Sequence, residues 1–460
     1  MTSSRQTSAS YNPLTDGVIW KEMLRFFFPL LFGTLFQQLY NTVDAVIVGR
    51  FVGKIALSAV GGTSAMLINL LVGFFLGLSS GASVIVAQFY GAKRDKEVSL
   101  SVHTAVAMAL FGGVLIMIIG EIATPAYTRL LRTPEAVVDG TILYLRIFFL
   151  GMIPNLFYNV GAAILRAVGD SKRPLYYLIT SCIANILLDL FFVVMLDMGV
   201  AGVAIATILS QLLSALLVFV ALVRTNENYR LSIRQIRFDL PILKRMMHIG
   251  IPGGIQSSVY MISNTIIQAC VNGFGTDIMA AWTASGKADV VVWLVFGAFA
   301  VTVTTFVGQN HGAGKPERVK QSVRTAFIMT MSAVLLLGVL IYSFGHYLMY
   351  LFTTDAAVVE SGAYMLRFFS VFYWTYVCVE IFSGALRGMG EALIPTVIDL
   401  FGVCVLRLLW VFLYVPRHYT IDSVMYSYPL SWIITSVLFV IYFIYYMKAQ
   451  FPRLYRSASS

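Results

Sequence analysis

The chain has 460 residues, of which 58% are hydrophobic and 12% charged, whereas a soluble domain is about half apolar and about a quarter charged. This excludes a cytosolic globule. The net charge of +10 does not gather into a nucleic-acid patch, because basic residues recur in short tracts between apolar runs, such as Lys93-Arg94-Asp95-Lys96, Lys172-Arg173 and Lys244-Arg245, the pattern of loops in a multi-pass membrane protein.

In chain order, residues 1–21 form a polar tail without the apolar stretch of a cleaved signal peptide. Apolar runs long enough to cross a bilayer follow at 22–49, 57–80, 99–120, 137–160, 172–196 and 200–223. A polar gap running from Arg224 to Arg245 predicts a linker at 224–246. Six more runs follow at 247–270, 280–307, 325–349, 358–383, 392–415 and 424–447, and a short tail at 449–460 ends the chain. The expected fold is all-α, with twelve transmembrane helices in two lobes at 22–223 and 247–448.

The lobes look like copies. Residues 87–105 (AQFYGAKRDKEVSLSVHTA) align without gaps on 308–326 (GQNHGAGKPERVKQSVRTA) at an offset of 221, with eight of 19 positions identical. The same offset carries Arg166 onto Arg387 and Gly169 onto Gly390, while Pro29 meets Pro252 at 223. Six helices is an even number, so both copies enter the membrane the same way, related by a pseudo-twofold axis along the bilayer normal. Of the 32 Lys and Arg, 23 fall on the side holding both tails and five on the other: Arg50, Lys54, Arg129, Arg132 and Arg417. This bias predicts cytoplasmic termini in a cell-membrane protein.

Polar side chains inside the bilayer cost free energy and need a partner or a job. The first span carries Gln37, Asn41 and Asp44 at helical spacing, the fifth Asn185 and Asp189, and the sixth Thr207, Gln211 and Ser214. Such amides and hydroxyls commonly serve as interhelical hydrogen bonds worth about a kcal/mol each. Counting residues at 1.5 Å each puts Asp44, Asp189 and Thr207 at one depth, roughly 8 to 10 Å below the outer surface. Two carboxylates there would share a proton or recruit a hard cation such as Na+. The second copy does not repeat them, since Asp44 corresponds to Ile267 and Asp189 to Trp410. Its own charges are Lys287, Asp289, Glu380, Asp399 and Arg407, with Lys287 and Glu380 as a possible polar site, or Lys287 and Asp289 pairing with Glu380 or Arg407 as structural glue.

Other signals are absent. The four cysteines (Cys182, Cys270, Cys378, Cys404) and five histidines lack metal-ligand spacing. There is no Walker A, GxSxG or HExxH pattern, so neither ATP-driven transport nor common hydrolase chemistry is supported, and no enzyme is expected.

Over residues 20–450 the chain resembles the multidrug and toxic compound extrusion (MATE) family of secondary transporters. The resemblance rests on Pro29, QQLYNTVDAVIVG (37–49), VAQFYGAKR (86–94), AAILRAVGDSKRP (162–174), ANILLDLFFV (184–193), GQNHGAGKPERV (308–319) and SGALRGMGE (383–391). It implies two six-helix lobes forming a V, a monomer, and efflux of small organic, often cationic, compounds driven by inward H+ or Na+ with no other cofactor. It further implies a coupling site at Asp44, Asn185, Asp189 and Thr207, which would hold Na+ where that ion is used. Substrate contacts are implied at Gln37, Tyr40 and Asn41, and a bend at Pro29. Branches coupling through the second lobe carry a seventh-helix glutamate, and Tyr260 stands near that place here, so coupling is expected in the first lobe, as in the branch related to DNA-damage-inducible transporters. The alternatives are a lipid-linked oligosaccharide flippase of the same superfamily, disfavoured by twelve spans and few intramembrane cations, and a channel or receptor.

Overall fold

The computed structural model describes residues 11–131 and 133–456. Residues 1–10 and 457–460 of the expected tails, and Arg132, lie outside the described residues. Every regular element among them is helical. Twelve long helices follow a single turn at Pro13–Asp16. The first lobe consists of α1 (Ile19–Ile47), α2 (Lys54–Gly91), α3 (Asp95–Leu130), α4 (Glu135–Leu150 and Met152–Ala167), α5 (Lys172–Met195) and α6 (Gly199–Arg224). The second consists of α7 (Leu240–Asn272), α8 (Thr276–Ala288 and Val290–Gly312), α9 (Pro316–Met349), α10 (Ala356–Gly388), α11 (Leu393–Arg417) and α12 (Ile421–Gln450).

Nine of these are apolar and long enough to cross a membrane, and α4, bent by 50° between its parts, makes a tenth. The remaining two are α1 and α7, the opening helices of each lobe, whose apolar runs are diluted by polar residues such as Gln38, Asn41, Gln256 and Asn264. Both run unbroken through an internal proline, Pro29 in α1 and Pro252 in α7. The helices extend beyond the expected spans because backbone hydrogen bonding continues into charged ends, as at Asp95 in α3. The linker is also shorter than 224–246: Asp239 caps α7 by accepting from the Ile242 N–H at 3.1 Å, with Pro241 at the first helical positions. What remains between the lobes is packed chain, with Tyr229 and Leu231 buried.

The lobes meet along α2 and α7. Gly73, Gly77 and Gly81 recur every fourth residue on α2, and Gly250 and Gly254 on α7. A Cβ on Gly77 would lie 2.3 Å from the Gly254 nitrogen, and one on Gly81 2.2 Å from the Met246 oxygen. Only hydrogen fits between these backbones, the small-residue packing of membrane helices. The other half of the seam is aromatic instead: Phe27 of α1 stacks on Phe299 of α8 with centroids 4.1 Å apart.

At the end carrying both termini the pseudo-twofold relation becomes atomic. Gln88 Nε2 donates to the Gly388 carbonyl at 2.9 Å, and its counterpart Gln309 donates to the Ala167 carbonyl at 2.6 Å. The two donors, and likewise the two acceptors, are related by the same offset of 221 residues. The backbones beside these glutamines touch the opposite glycines, since a Cβ on Gly91 would sit 2.0 Å from the Gln309 oxygen and one on Gly312 1.9 Å from the Gln88 oxygen. Gly169 and Gly390, also equivalent, turn the chain nearby with φ of +99° and +94°, which favour glycine.

Chain segments then cross between lobes. The stretch leading into α1 binds the second lobe: Asn310 and Arg318 donate to the Leu14 carbonyl, Arg318 reaches the Gly17 carbonyl at 2.9 Å, and Lys315 pairs with Asp16 at 2.6 Å. The stretch leading into α7 binds the first: the Ser232 N–H donates to His103 at 3.0 Å and the Asp239 N–H to Thr104 at 3.1 Å. Each lobe is strapped by the other's leading segment.

Candidate functional site

Three helices of the first lobe bring the expected coupling residues together. Tyr40 and Asp44 lie one turn apart on α1, which packs against α5, and α5 against α6. Asn185 and Asp189 of α5 are fully buried, and Thr207 of α6 is 3% exposed. The Asp44 and Asp189 carboxyls face each other, with the Tyr40 hydroxyl beside Asp44 and Thr207 close to Tyr40. Thr207 itself donates to the Val203 carbonyl at 2.9 Å, so its remaining lone pairs face the group. Immediately after Asp189 the helix loosens into a π-helical stretch (Leu190–Met195), and α1 does the same at Val48–Val52, four residues past Asp44. Such bulges concentrate at functional sites.

The hydrogen-bond ledger of this cluster does not close. Both Asp189 oxygens, Asp44 Oδ1, both ends of the Asn185 amide and the Tyr40 hydroxyl are buried without a protein partner. In a low dielectric each such group is costly, and native interiors rarely leave so many together. Two carboxylates are acceptors only and cannot bond each other. One shared proton turns the pair into donor and acceptor, and a hard monovalent cation satisfies the same oxygens through its charge. The residues present therefore fit a proton or Na+. No trio of Asp, Glu, His or Cys converges among the described residues, so an ion would rely on Asn185, Thr207 and Tyr40 for its remaining oxygens.

One member of this neighbourhood escaped the sequence reading. Tyr144 of α4, 7% exposed, places its hydroxyl near both carboxyls. Gln211, one turn beyond Thr207 on α6, leaves its Oε1 buried and unpartnered. Its spacing with Thr207 was a signal, but nothing in the sequence marks Tyr144.

The remaining expected residues distribute differently. The face proposed for Gln37, Asn41 and Asp44 is split: Gln37 and Asn41 are exposed on α1, while Asp44 turns inward with Tyr40. The three directions span only about 60° of the helix, so the split follows height as well as direction, Gln37 lying two turns before Asp44. Pro29 is half-buried within an unbroken helix. In the second lobe, Lys287 is exposed and does not join Glu380, which lines a separate cavity with Asp289 and Arg407. Residues two apart point to opposite sides of a helix, so Lys287 is turned away from the side that Asp289 presents to the cavity. The expected glue does not form either, since Asp289 accepts from the Tyr373 hydroxyl at 3.0 Å and Arg407 bonds Ser431.

Comparison with known proteins follows this geometry. The MatE family model matches twice, over residues 29–191 and 252–413, once on each lobe. The probable multidrug resistance protein YoeA of Bacillus subtilis is 30% identical over 450 residues, covering 95% of this chain and 96% of its own. The probable multidrug resistance protein NorM of Thermotoga maritima is 25% identical over 400 residues, covering 85% and 84%. Among solved structures, an outward-facing multidrug resistance MATE family transporter of the MOP superfamily superposes with a TM-score of 0.88 at 23% identity, covering 97% of this chain and 98% of its own. A MOP superfamily transporter from Pyrococcus furiosus, described as having a binding pocket of reversed polarity, gives 0.87 at 23%, covering 95% and 98%. The chain belongs to the MATE family, multi-pass membrane transporters built as two six-helix lobes.

Proposed function

We propose that this protein is a secondary active antiporter that exports small organic, often cationic, compounds in exchange for inward H+ or Na+, coupled through Asp44 and Asp189. The observation carrying this reading is the set of buried, unpartnered oxygens converging from α1 and α5 in the first lobe. A channel or receptor has no need of two mutually repelling carboxyls at one buried point. The names of the similar proteins, multidrug resistance and multidrug export, support the class of cargo.

The Lys and Arg bias assigns the end bearing both termini to the cytoplasm. The seam closed by Gln88 and Gln309 is then the cytoplasmic gate, and the molecule is open to the outside. In that state the carboxyl pair takes a cation from outside, and its binding disfavours cargo in the first lobe. After cargo leaves, the lobes rock, the glutamine contacts part, and the pair empties inward. A ligand shifts such an equilibrium only by its differential affinity for the two states. The π-helical stretches beside Asp44 and Asp189, together with Pro29, are where α1 and α5 can change register and so alter that affinity.

Dye uptake into inverted membrane vesicles tests the reading, with a pH gradient and a Na+ gradient imposed separately. One of the two drives uptake in the wild type, and neither drives it in Asp44→Asn or Asp189→Asn. Full gradient-driven uptake by both variants ends the proposal.

A further inference from the structure

The second lobe contains a cavity of about 510 Å³ that the carboxyl pair and the seam do not use. Its wall is aromatic and rigid. Trp293 meets Tyr376 at 5.4 Å and Trp432 at 5.9 Å, and Trp282 meets Tyr428 at 5.9 Å, so each ring is fixed by its neighbours. Such a wall offers flat π-surface to a flat guest.

Arg407 of α11 lines this cavity and is only 4% exposed. Its guanidinium stacks 4.0 Å over the Tyr428 ring. Nε and Nη2 share one acceptor, the Ser431 hydroxyl, at 3.4 and 3.2 Å. No carboxylate lies within 4.0 Å of it among the described residues. A guanidinium carries five donors in a planar fork matched to a carboxylate, and one serine uses a fraction of them. A buried cation without a counter-ion is unfavourable, so the fold holds open a place for an anion. Elsewhere on the wall, Asp289 accepts from the Tyr373 hydroxyl with the Trp293 indole beside it, and Glu380, which lines the cavity, makes no hydrogen bond or ion pair among the described residues. These are acceptors for an ammonium. A simple organic cation would meet the repulsion of Arg407, and a simple anion that of the two acids.

We propose that this cavity binds flat aromatic zwitterions, compounds carrying a carboxylate and a cationic nitrogen on one ring system, and that Arg407 selects for the carboxylate. The proposal rests on the transporter reading above only in treating the guest as cargo.

Rhodamine 110 and its methyl ester, rhodamine 123, share one ring system and differ only in whether the carboxylate is free. Binding of both dyes to the full chain in lipid nanodiscs, by fluorescence polarisation and by tryptophan quenching, provides the test. The wild type is expected to hold rhodamine 110 about ten-fold more tightly than rhodamine 123, the scale of a charge-assisted bidentate contact. Arg407→Gln abolishes that preference by weakening rhodamine 110 alone, and Arg407→Lys, which keeps the charge without the fork, retains part of it. Equal affinities in the wild type, a measurement needing no variant, overturn the proposal, as does a preference unchanged in Arg407→Gln. In the Asp189→Asn background, which by the reading above no longer couples to an ion, the preference for rhodamine 110 persists. Its disappearance there would move the dye to the first lobe and overturn the proposal, whereas gradient-driven uptake surviving there with the preference intact would count against ion coupling alone.

Discussion

The two lobes share a frame and differ in what they enclose. In the first, Asp44, Asn185 and Asp189 gather buried polar atoms that have no protein partner. In the second, Ile267 and Trp410 occupy the equivalent positions: Ile267 packs with Val271 and Val411, with Trp410 against them. The second lobe's polar groups lie elsewhere, scattered around an aromatic cavity. Asp399 shows the displacement well. It too precedes a π-helical stretch, in α11 (Leu400–Val405), but it lies only seven residues into its helix, whereas Asp189 lies 18 into α5. At 1.5 Å per residue this places it about 16 Å nearer the end bearing the termini. Duplication preserved the scaffold, and the interiors then diverged, one closed around buried polar atoms and one left as an aromatic cavity.

Several changes would break or sharpen that contrast. The largest effect is expected from Ile267→Asp, which installs a carboxyl where Asp44 has its counterpart. With only apolar neighbours to receive it, the charge should cost on the order of 3 to 5 kcal/mol, and size-exclusion of the detergent extract should show loss of folded protein. A well-folded variant would mean that packing does not keep the two interiors apart. Next come Asp44→Asn and Asp189→Asn, which remove the ionisable group at nearly constant volume. Gradient-driven uptake should fall to the vesicle background, at least about ten-fold, with thermal stability maintained or raised as repulsion is relieved. Glu380→Gln should leave the dependence on the ion gradient as it is while changing which dyes bind, and a loss of gradient dependence would place coupling in both lobes.

Smaller effects are expected at the seam. Gln88→Leu removes the bonds to the Gly388 carbonyl and from Arg245, and Gln309→Leu those to the Ala167 carbonyl and from Asn12, each worth about 1 kcal/mol. Spin-label distances across that end should show a several-fold shift toward separated lobes, similar for the two variants because the contacts are equivalent. Smallest is Asp16→Asn. Its pairing with Lys315 holds the Asp16 carboxyl below the usual range, so the stabilisation is present above the ordinary carboxylate pKa and fades as pH falls through the lowered one. Between pH 5.5 and 8 the strap therefore does not titrate. The half-exposed pair is worth well under about 1 kcal/mol, and the variant's pH–transport profile should overlay the wild type.

Much of the architecture was legible because it is written in repetition and in hydropathy. Twelve apolar runs, the 221-residue offset and the polar residues of α1, α5 and α6 all leave local signatures. The i, i+4 spacing of Asn185 and Asp189 could be read for the same reason, since a helix fixes relative direction. What could not be read was the relative placement of the helices. Gln37 and Asp44 point within about 20° of each other but stand two turns apart, and how far along α1 the cover of α5 reaches is set by packing. Lys287 was misjudged although its spacing held the answer, because residues two apart, as it and Asp289 are, do not face the same side of a helix. The seam lay in plain view as glycines at every fourth position, yet small-residue spacing recurs in many membrane helices, so its partner cannot be named without coordinates. Tyr144 had no signal at all, being one aromatic among many.

The crossed glutamine contact has a consequence for how such a chain could arise. Residue for residue, Gln88 does to Gly388 what Gln309 does to Ala167, and each half's opening segment lies on its sibling. This is the signature of an isologous interface, in which one patch is complementary to itself across a twofold. An ancestral six-helix polypeptide would have met a second copy of itself through these same atoms, exchanging arms as it did so. Fusing the two genes then needed only a tether between the end of α6 and the arm of the next copy, which is the short packed stretch from Thr225 to Asp239, and it freed each half to drift inside while the seam held both to one geometry.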